Sequence, residues 1–332
     1  MGLKLLLDKR SLGIAALLVA TFSWGGMFLI SKGVLAQVGP AWFTAIRYVI
    51  SALFLLPLLA MRGAAPWRKL RADLLPLAGR GFAGFGFFSV TLLTGLSMSV
   101  PSHGAVVMAT VPMTTQMLRW ALDGVRPSRA TLGTSALALA GVVVVSGVLM
   151  PAAHHAVSTW HGDALALLST LGWVWYTRGA ARFAELDVIE YTGLTVLASL
   201  PLLVIGAVVF TATGLAEVPS VEALGATWHA LLYVGAISSA VAVLAFNYGV
   251  RALGAVTATA FLNFVPVSVL LISLVMGKQP TLTELIGTAM VVMALLLHTM
   301  ASRTALPVPA AHNRRSGPLV AIGATSTCTS LS

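Results

Sequence analysis

Two cations stand in stretches of this chain that otherwise hold no charge. Arg47 follows Pro40 by seven residues, roughly 10 Å along a helix at 1.5 Å per residue. Lys32 lies at a similar depth near the end of the preceding apolar run. Ionisable side chains in apolar surroundings are costly and usually face an interior path or pocket. Each therefore suggests binding of an anionic group. The other reading is that the side chain reaches back to a polar interface or pairs with backbone carbonyls. That reading is preferred for Lys32, and both stand for Arg47.

Aromatic residues form the second set. Trp24 and Trp173 fall 12 and 11 residues into their runs, close to the middle of a membrane-length helix. Aromatic walls there suit an apolar or amphipathic ligand, and their faces can hold a cation; ordinary helix packing explains them equally well. Tyr176 and Trp175 are nearby candidates of the same kind, whereas Trp42, Trp67, Trp160 and Trp228 lie near ends or loops and read as interface residues. Gly25 and Gly26 weaken the helix beside Trp24, as a discontinuous transport helix requires. Pro112 and Pro266 each remove a backbone hydrogen bond and free a carbonyl. Beside them sit Thr114, Thr115, Gln116 and Asn263, of which Gln116 and Asn263 are candidate ligand contacts.

The elements that carry these residues follow from composition. Of 332 residues 58% are hydrophobic and only 9% charged, and the mean hydropathy is +0.93. Soluble domains carry about 25% charged residues, so lipid must be the solvent for most of this chain. Ten apolar runs approach the roughly 20 residues that a membrane helix needs: Leu12–Leu35, Pro40–Met61, Leu74–Ser97, Pro101–Leu122, Ala130–Met150, Gly162–Ala181, Tyr191–Phe210, Thr227–Tyr248, Leu253–Met276 and Thr283–Met300. The first is too long for a signal peptide and is read as a retained span. With the N-terminus placed in the cytoplasm, Lys and Arg gather on that side, from Lys4 and Arg10 through Arg62, Arg68, Lys69, Arg126, Arg178 and Arg251 to Arg303, and the outer loops hold only Lys278. The segment 301–332 is rich in Ala, Pro, Ser and Thr and predicts a disordered cytoplasmic tail.

Several chemistries are excluded on sequence. The net charge of +10 comes from loop residues rather than a basic face, so nucleic acid is not an expected partner. Cys328 is the single cysteine, and His154, His155, His161 and Asp163 do not have the spacing of a compact zinc site, so neither metal nor cofactor is expected. No phosphate-cradling loop, nucleophile elbow or paired intramembrane carboxylates occur, which argues against an ATP-driven pump and against an enzyme. All ten acidic residues fall in loops or at run ends, so a proton relay through buried carboxylates is not expected.

The two halves echo each other. Pro112 precedes Gly133 by 21 residues, as Pro266 precedes Gly287, and Gly124-x-x-Pro127-Ser128 parallels Gly277-x-x-Pro280-Thr281. Five spans per half is an odd number, which inverts the second half and gives the arrangement that many carriers use for alternating access. The series Trp24-Gly25, Lys32, Pro40 and Arg47, then Gly162-Asp163, Trp173, Tyr176, Tyr248, Gly254-Ala255, Pro266 and Gly287, resembles the EamA family of the drug/metabolite transporter superfamily. The resemblance covers residues 12 to 300. It implies an all-α membrane fold of ten helices in two inverted repeats, 12–150 and 162–300, and transport of metabolites or toxic compounds. The family's glutamates after the fourth and ninth helices correspond to Val125 and Lys278, with Asp123 a candidate replacement for the first, so the resemblance does not carry their usual role over to this chain. The expected function is a secondary carrier of small organic metabolites such as amino acids in the cytoplasmic membrane. A multidrug exporter and a non-transporting interaction protein are the alternatives, and the oligomeric state is left open.

Overall fold

The computed structural model describes residues 9–98, 101–145, 160–277 and 282–304, and among these every regular element is helical. In chain order they are α1 (Lys9–Leu35), α2 (Pro40–Ala60), α3 (Ala65–Ala72), α4 (Leu74–Ser97), α5 (Pro101–Asp123), α6 (Arg129–Val145), α7 (Trp160–Arg182), α8 (Val188–Ala212), α9 (Val221–Leu253), α10 (Ala255–Val275) and α11 (Leu282–Thr304). Six of them, α1, α2, α4, α8, α9 and α10, are long and apolar enough to cross a membrane. Helices suit lipid because each closes its own backbone hydrogen bonds. The surface agrees: Leu53, Phe54, Ile205, Val208 and Val209 face outward, while Ser51, Thr192, Thr195 and Ser199 are buried. Expectations concerning Cys328, His154, His155, Lys278 and the tail beyond residue 304 lie outside the described residues.

Among the described residues each apolar run falls on a helix, with ends that shift for local reasons. α9 begins six residues before the expected Thr227 because Ser220 caps it, its hydroxyl accepting from the Ala223 N–H at 3.1 Å. α8 begins at a capping box. Asp187 accepts from the Glu190 N–H at 2.9 Å and Glu190 accepts from the Asp187 N–H at 3.0 Å. Asp187 also pairs with Arg62. Asp187→Ala should cost about 1 kcal/mol and lower the thermal midpoint in detergent. Asp187→Asn should lose much less, because asparagine still caps; equal losses would place the effect in the ion pair instead.

Helix α3 has no counterpart among the expected spans. It is short and basic, and its Lys69 pairs with Asp73 at 2.6 Å and with Glu185 at 2.7 Å in the loop before α8. The Glu185 carboxyl is held below its usual range chiefly by the hydrogen bond from Lys69, and hydrogen bonds to Asp73 and Glu185 raise Lys69. This clamp therefore survives mild acid and is lost only as the pH falls through the depressed carboxylate value.

Three departures from regular helix shape the interior. Phe82–Phe87 in α4 and Tyr233–Val241 in α9 are π-helical, and Phe261–Asn263 in α10 is a 3-10 turn. The 3-10 turn precedes Pro266, which has no N–H to offer the Leu262 carbonyl. Pro112, by contrast, sits within a continuous α5. α1 also runs unbroken through Gly25 and Gly26. Those glycines do not interrupt the helix; they admit neighbours. A Cβ on Gly25 would overlap Ser268 of α10, and one on Gly26 would overlap the Tyr233 hydroxyl of α9. α1 packs against α9 and α10, α7 against α4 and α5, α2 against α8 and α9, and α6 against α11.

Candidate functional site

Inside the bundle α1, α2, α4, α5, α7 and α9 enclose a cavity of about 20 Å³ lined by Trp24, Met27, Phe28, Arg47, Tyr48, Phe88, Leu92, Met108, Trp173, Ser238 and Val243. That is space for about one water molecule. Helical spacing assembles the wall. Trp24, Met27 and Phe28 stand at i, i+3 and i+4 on α1, and Phe88 and Leu92 at i and i+4 on α4. The rings form a compact cluster: Trp24 meets Trp173 edge-on at 5.3 Å, Phe88 lies 5.2 Å from Trp173, and Phe246 sits 5.4 and 5.3 Å from the two indoles.

Arg47 is the charged member of this wall, only 4% exposed. Its Nη2 donates to the Ser89 hydroxyl at 2.7 Å and the Tyr48 hydroxyl at 3.0 Å, and Nη1 donates to the Met27 sulfur at 3.4 Å. Its Nε has no partner, and no carboxylate pairs with it among the described residues. A thioether is a weak acceptor, so one side of the guanidinium is poorly satisfied. The two tryptophans differ in the same respect. Trp24 donates to the Ser238 carbonyl at 2.9 Å, within the π segment of α9. The Trp173 N–H is buried with no acceptor. Buried unpaired donors cost about 1–3 kcal/mol each, and the two residues that carry them line one small cavity.

On one face of the ring cluster lies a hydrogen-bonded group in which the Asn247 amide oxygen is left without a partner among the described residues. Asn247 donates to the Tyr176 hydroxyl at 2.6 Å and the Thr192 hydroxyl at 2.8 Å, and Tyr191 donates to the Tyr176 carbonyl at 2.7 Å. On the other face opens a vestibule of about 700 Å³, lined among others by Thr115, Arg119, Asp123, Thr177, Arg178 and Arg251. Arg178 grips Asp123 through both carboxylate oxygens at 2.7 Å, tying the end of α5 to the end of α7. By helical register the buried Val111, Trp173 and Phe246 form a plug: Val111 falls between cavity-lining Met108 and vestibule-lining Thr115, Phe246 between Val243 and Val250, and cavity-lining Trp173 stands one turn before vestibule-lining Thr177. Met108 and Thr115 bracket this plug on α5, seven residues apart, or about 10 Å.

Of the residues expected from sequence, Trp24, Arg47 and Trp173 meet at the cavity. Tyr176 is adjacent, its ring 5.6 Å from Trp173, but its hydroxyl is committed to Asn247. Gln116 and Asn263 are buried outside the cavity wall, although the Asn263 carbonyl oxygen has no partner among the described residues. Lys32 is exposed. Trp175 points away from the cluster and lies under Arg80, which stacks on its ring at 4.1 Å and donates to its carbonyl at 2.8 Å. Arg80 thereby ties α4 to α7. Tyr48, Ser89, Met27 and Phe88 were not singled out from sequence. Only Met27 carried a signal, its i+3 spacing from Trp24.

The sequence profile of the EamA-like transporter family matches residues 11–147 and again 160–300. The chain belongs to that family. Members are transporters and not enzymes, and this one is a multi-pass membrane protein. Among curated relatives, a Bacillus subtilis protein named uncharacterized transporter YrdR is 28% identical over 307 residues, 90% of this chain and 94% of the relative. A probable terminal-alkyne amino-acid exporter of Streptantibioticus cattleyicolor is 27% identical over 302 residues, 87% and 94% of the two chains. A solved crystal structure superposes with a TM-score of 0.67 at 21% identity, covering 89% of this chain and 98% of the other, which establishes likeness of fold alone.

Proposed function

We propose that this EamA-family transporter is a secondary carrier that moves small carboxylate-bearing metabolites, amino acids foremost, out across the cytoplasmic membrane by alternating access. The carrying observation is the buried Arg47 guanidinium, without a counter-ion among the described residues, beside the unpaired Trp173 N–H. A carboxylate offers two acceptors to such a fork and replaces the weak Met27 contact. The ring faces of Trp24 and Trp173 suit the ammonium of a zwitterion, and Phe28, Leu92 and Met108 suit an apolar side chain. A purely cationic drug would have to approach Arg47 without compensation, which disfavours the multidrug alternative. The relative named as a probable amino-acid exporter points the same way.

The ten-span, inverted-repeat architecture belongs to this proposal, with both termini cytoplasmic. Helix packing supports it. Leaving α3 aside as an interfacial element, exchanging the first five spans for the last five turns the α1 contacts with α9 and α10 into those of α7 with α4 and α5. It also turns the π segment of α4 into that of α9. In this reading the basic vestibule faces the cytoplasm, which makes the arrangement inward-facing with its central cavity closed.

The test is flux through purified protein in vesicles, comparing amino acids with their uncharged-carboxyl amides. Saturable movement of the acids and rejection of the amides is expected; equal movement of both, or of neither, would sink the proposal. Trp173→Phe removes the free N–H together with part of the indole ring, which packs on Trp24, Phe88, Tyr176 and Phe246. It should raise the KM for the acids about tenfold, from a hydrogen bond to a charged group worth about 1.5 kcal/mol, and lower the thermal midpoint through the lost packing; the amides, which share only the packing loss, are the control.

A further inference from the structure

The vestibule carries more positive charge than its contacts use. Arg119, Arg178 and Arg251 line it against the single carboxylate Asp123. Arg178 is satisfied by that carboxylate on both prongs. Arg251 donates to the carbonyls of Phe183 at 3.2 Å and Ala184 at 3.3 Å, and Glu185, itself held by Lys69 at 2.7 Å, faces it electrostatically. Arg119 is half-buried in the wall and acts on Asp123 through its field. Among the described residues it has neither a hydrogen-bond acceptor nor a carboxylate of its own. Two of the three hydroxyls in the lining are already committed as donors, the third being that of Thr257. Thr115 donates to the Val111 carbonyl at 2.8 Å and Thr177 to the Trp173 carbonyl at 2.9 Å. The rest of the lining includes Ala180, Ala181, Ala184 and Val250, a low-dielectric wall that concentrates the field of the arginines.

We propose that this vestibule is a loading site for carboxylate-bearing solutes, with Arg119 as the anchor. The site rests on the proposed transport of carboxylates and adds a stage to it. Arg119 lies 11 residues beyond the cavity-lining Met108 on α5, roughly 16 Å along the helix. One small solute cannot touch Arg119 and Arg47 at once. The anion is collected at Arg119 and passes to Arg47 when the plug of Val111, Trp173 and Phe246 opens.

The test needs no knowledge of the natural cargo. In a Cys328→Ser background, Ala181→Cys places one thiol in the vestibule wall of the purified, full-length protein. Its labelling by the anionic reagent 2-sulfonatoethyl methanethiosulfonate is compared with that by the cationic 2-(trimethylammonium)ethyl methanethiosulfonate, each normalised to a free thiol. The anion should be favoured by about tenfold or more, the range of field focusing in charged clefts. Arg119→Gln should remove most of that preference, Arg119→Lys should keep it, and Arg251→Gln should change it less. Benzoate, but not benzamide at matched ionic strength, should slow labelling saturably, and only where Arg119 is intact. An unchanged preference in Arg119→Gln, or equal protection by benzoate there, overturns the proposal. Arg47→Gln should leave all of these readouts unaltered. Loss of the vestibule preference with intact carboxylate flux defeats the loading site alone; intact vestibule behaviour with no flux of acids defeats the transport reading alone.

Discussion

Arg47→Gln is expected to move amino acids at least about 30-fold less efficiently than the parent chain, yet to unfold at the same or a higher temperature. Truncating one partner of a buried, hydrogen-bonded charge pair costs roughly 2 kcal/mol or more, and 1.36 kcal/mol is a factor of ten. The stability half of the prediction has the opposite sign. In the substrate-free protein the guanidinium is buried with an unpaired Nε and no carboxylate partner among the described residues. A buried charge without compensation destabilises, so a neutral side chain relieves it. Glutamine ends where the arginine Nε stands and gives up the contacts to the Ser89 and Tyr48 hydroxyls, which can turn to other partners, and Arg47→Lys keeps the charge without the planar fork and should fall between the two in flux. Purified variants in vesicles, followed by flux and by thermal unfolding, give both readouts. If Arg47 only braces α2 against α4 through Ser89, glutamine would lower the midpoint, and any loss of flux would track that loss of fold.

What the chain reveals before folding is uneven, and the unevenness has physical causes. Membrane-length apolar runs are legible because lipid demands length and not periodicity, which is why Pro40 and Leu74–Ser97 coincide with helix boundaries in the structure. Helix α3 escapes that test, since its basic residues face polar partners such as Asp73 and Glu185. The π segments leave no mark in the local sequence because tertiary contact sets them. Gly84 lies against the Tyr176 ring, Gly86 against Leu203 and Gly235 against Ile50. Arg47 is conspicuous in any reading as a lone charge, but whether it reaches the interface or the interior is decided by Ser89, 42 residues away. The difference between Trp24 and Trp173 is beyond sequence altogether. They match in depth, and only the position of the Ser238 carbonyl separates the committed N–H from the free one. Gln116 and Asn263 show the converse, since a polar side chain in an apolar run marks the interior without marking the cavity.

The seam between α4 and α8 should be the most sensitive place to add a methyl group. A Cβ on Gly81 would overlap the Thr195 carbonyl oxygen and come within 2.6 Å of the Ser199 hydroxyl and 2.8 Å of its Cβ. The nearest obstacle is backbone, so no rotamer change relieves it. The hydroxyls of Thr195 and Ser199 are also fixed, donating to the Tyr191 and Thr195 carbonyls at 2.6 and 2.8 Å. Gly81→Ala must therefore push the two helices apart, an overpacking cost of about 1–3 kcal/mol. The displacement would not stay local. Gly81 directly precedes the π segment, whose Phe85 rests on Tyr48 at 4.8 Å and on Tyr176 at 4.7 Å, and Ser89 one turn further on holds Arg47. A lower thermal midpoint should come with a raised KM for carboxylates. Gly79 and Gly206 supply the control, for nothing lies within 4 Å of a Cβ built on either. There the same substitution gains helix propensity, about 0.5–1 kcal/mol, and should be neutral or stabilising. Opposite signs at Gly81 and Gly79, two residues apart on one helix, would tie the glycine at the seam to the close approach that sets Arg47 in place; equal shifts at both would mean that α4 tolerates the methyl and that the site is positioned from elsewhere.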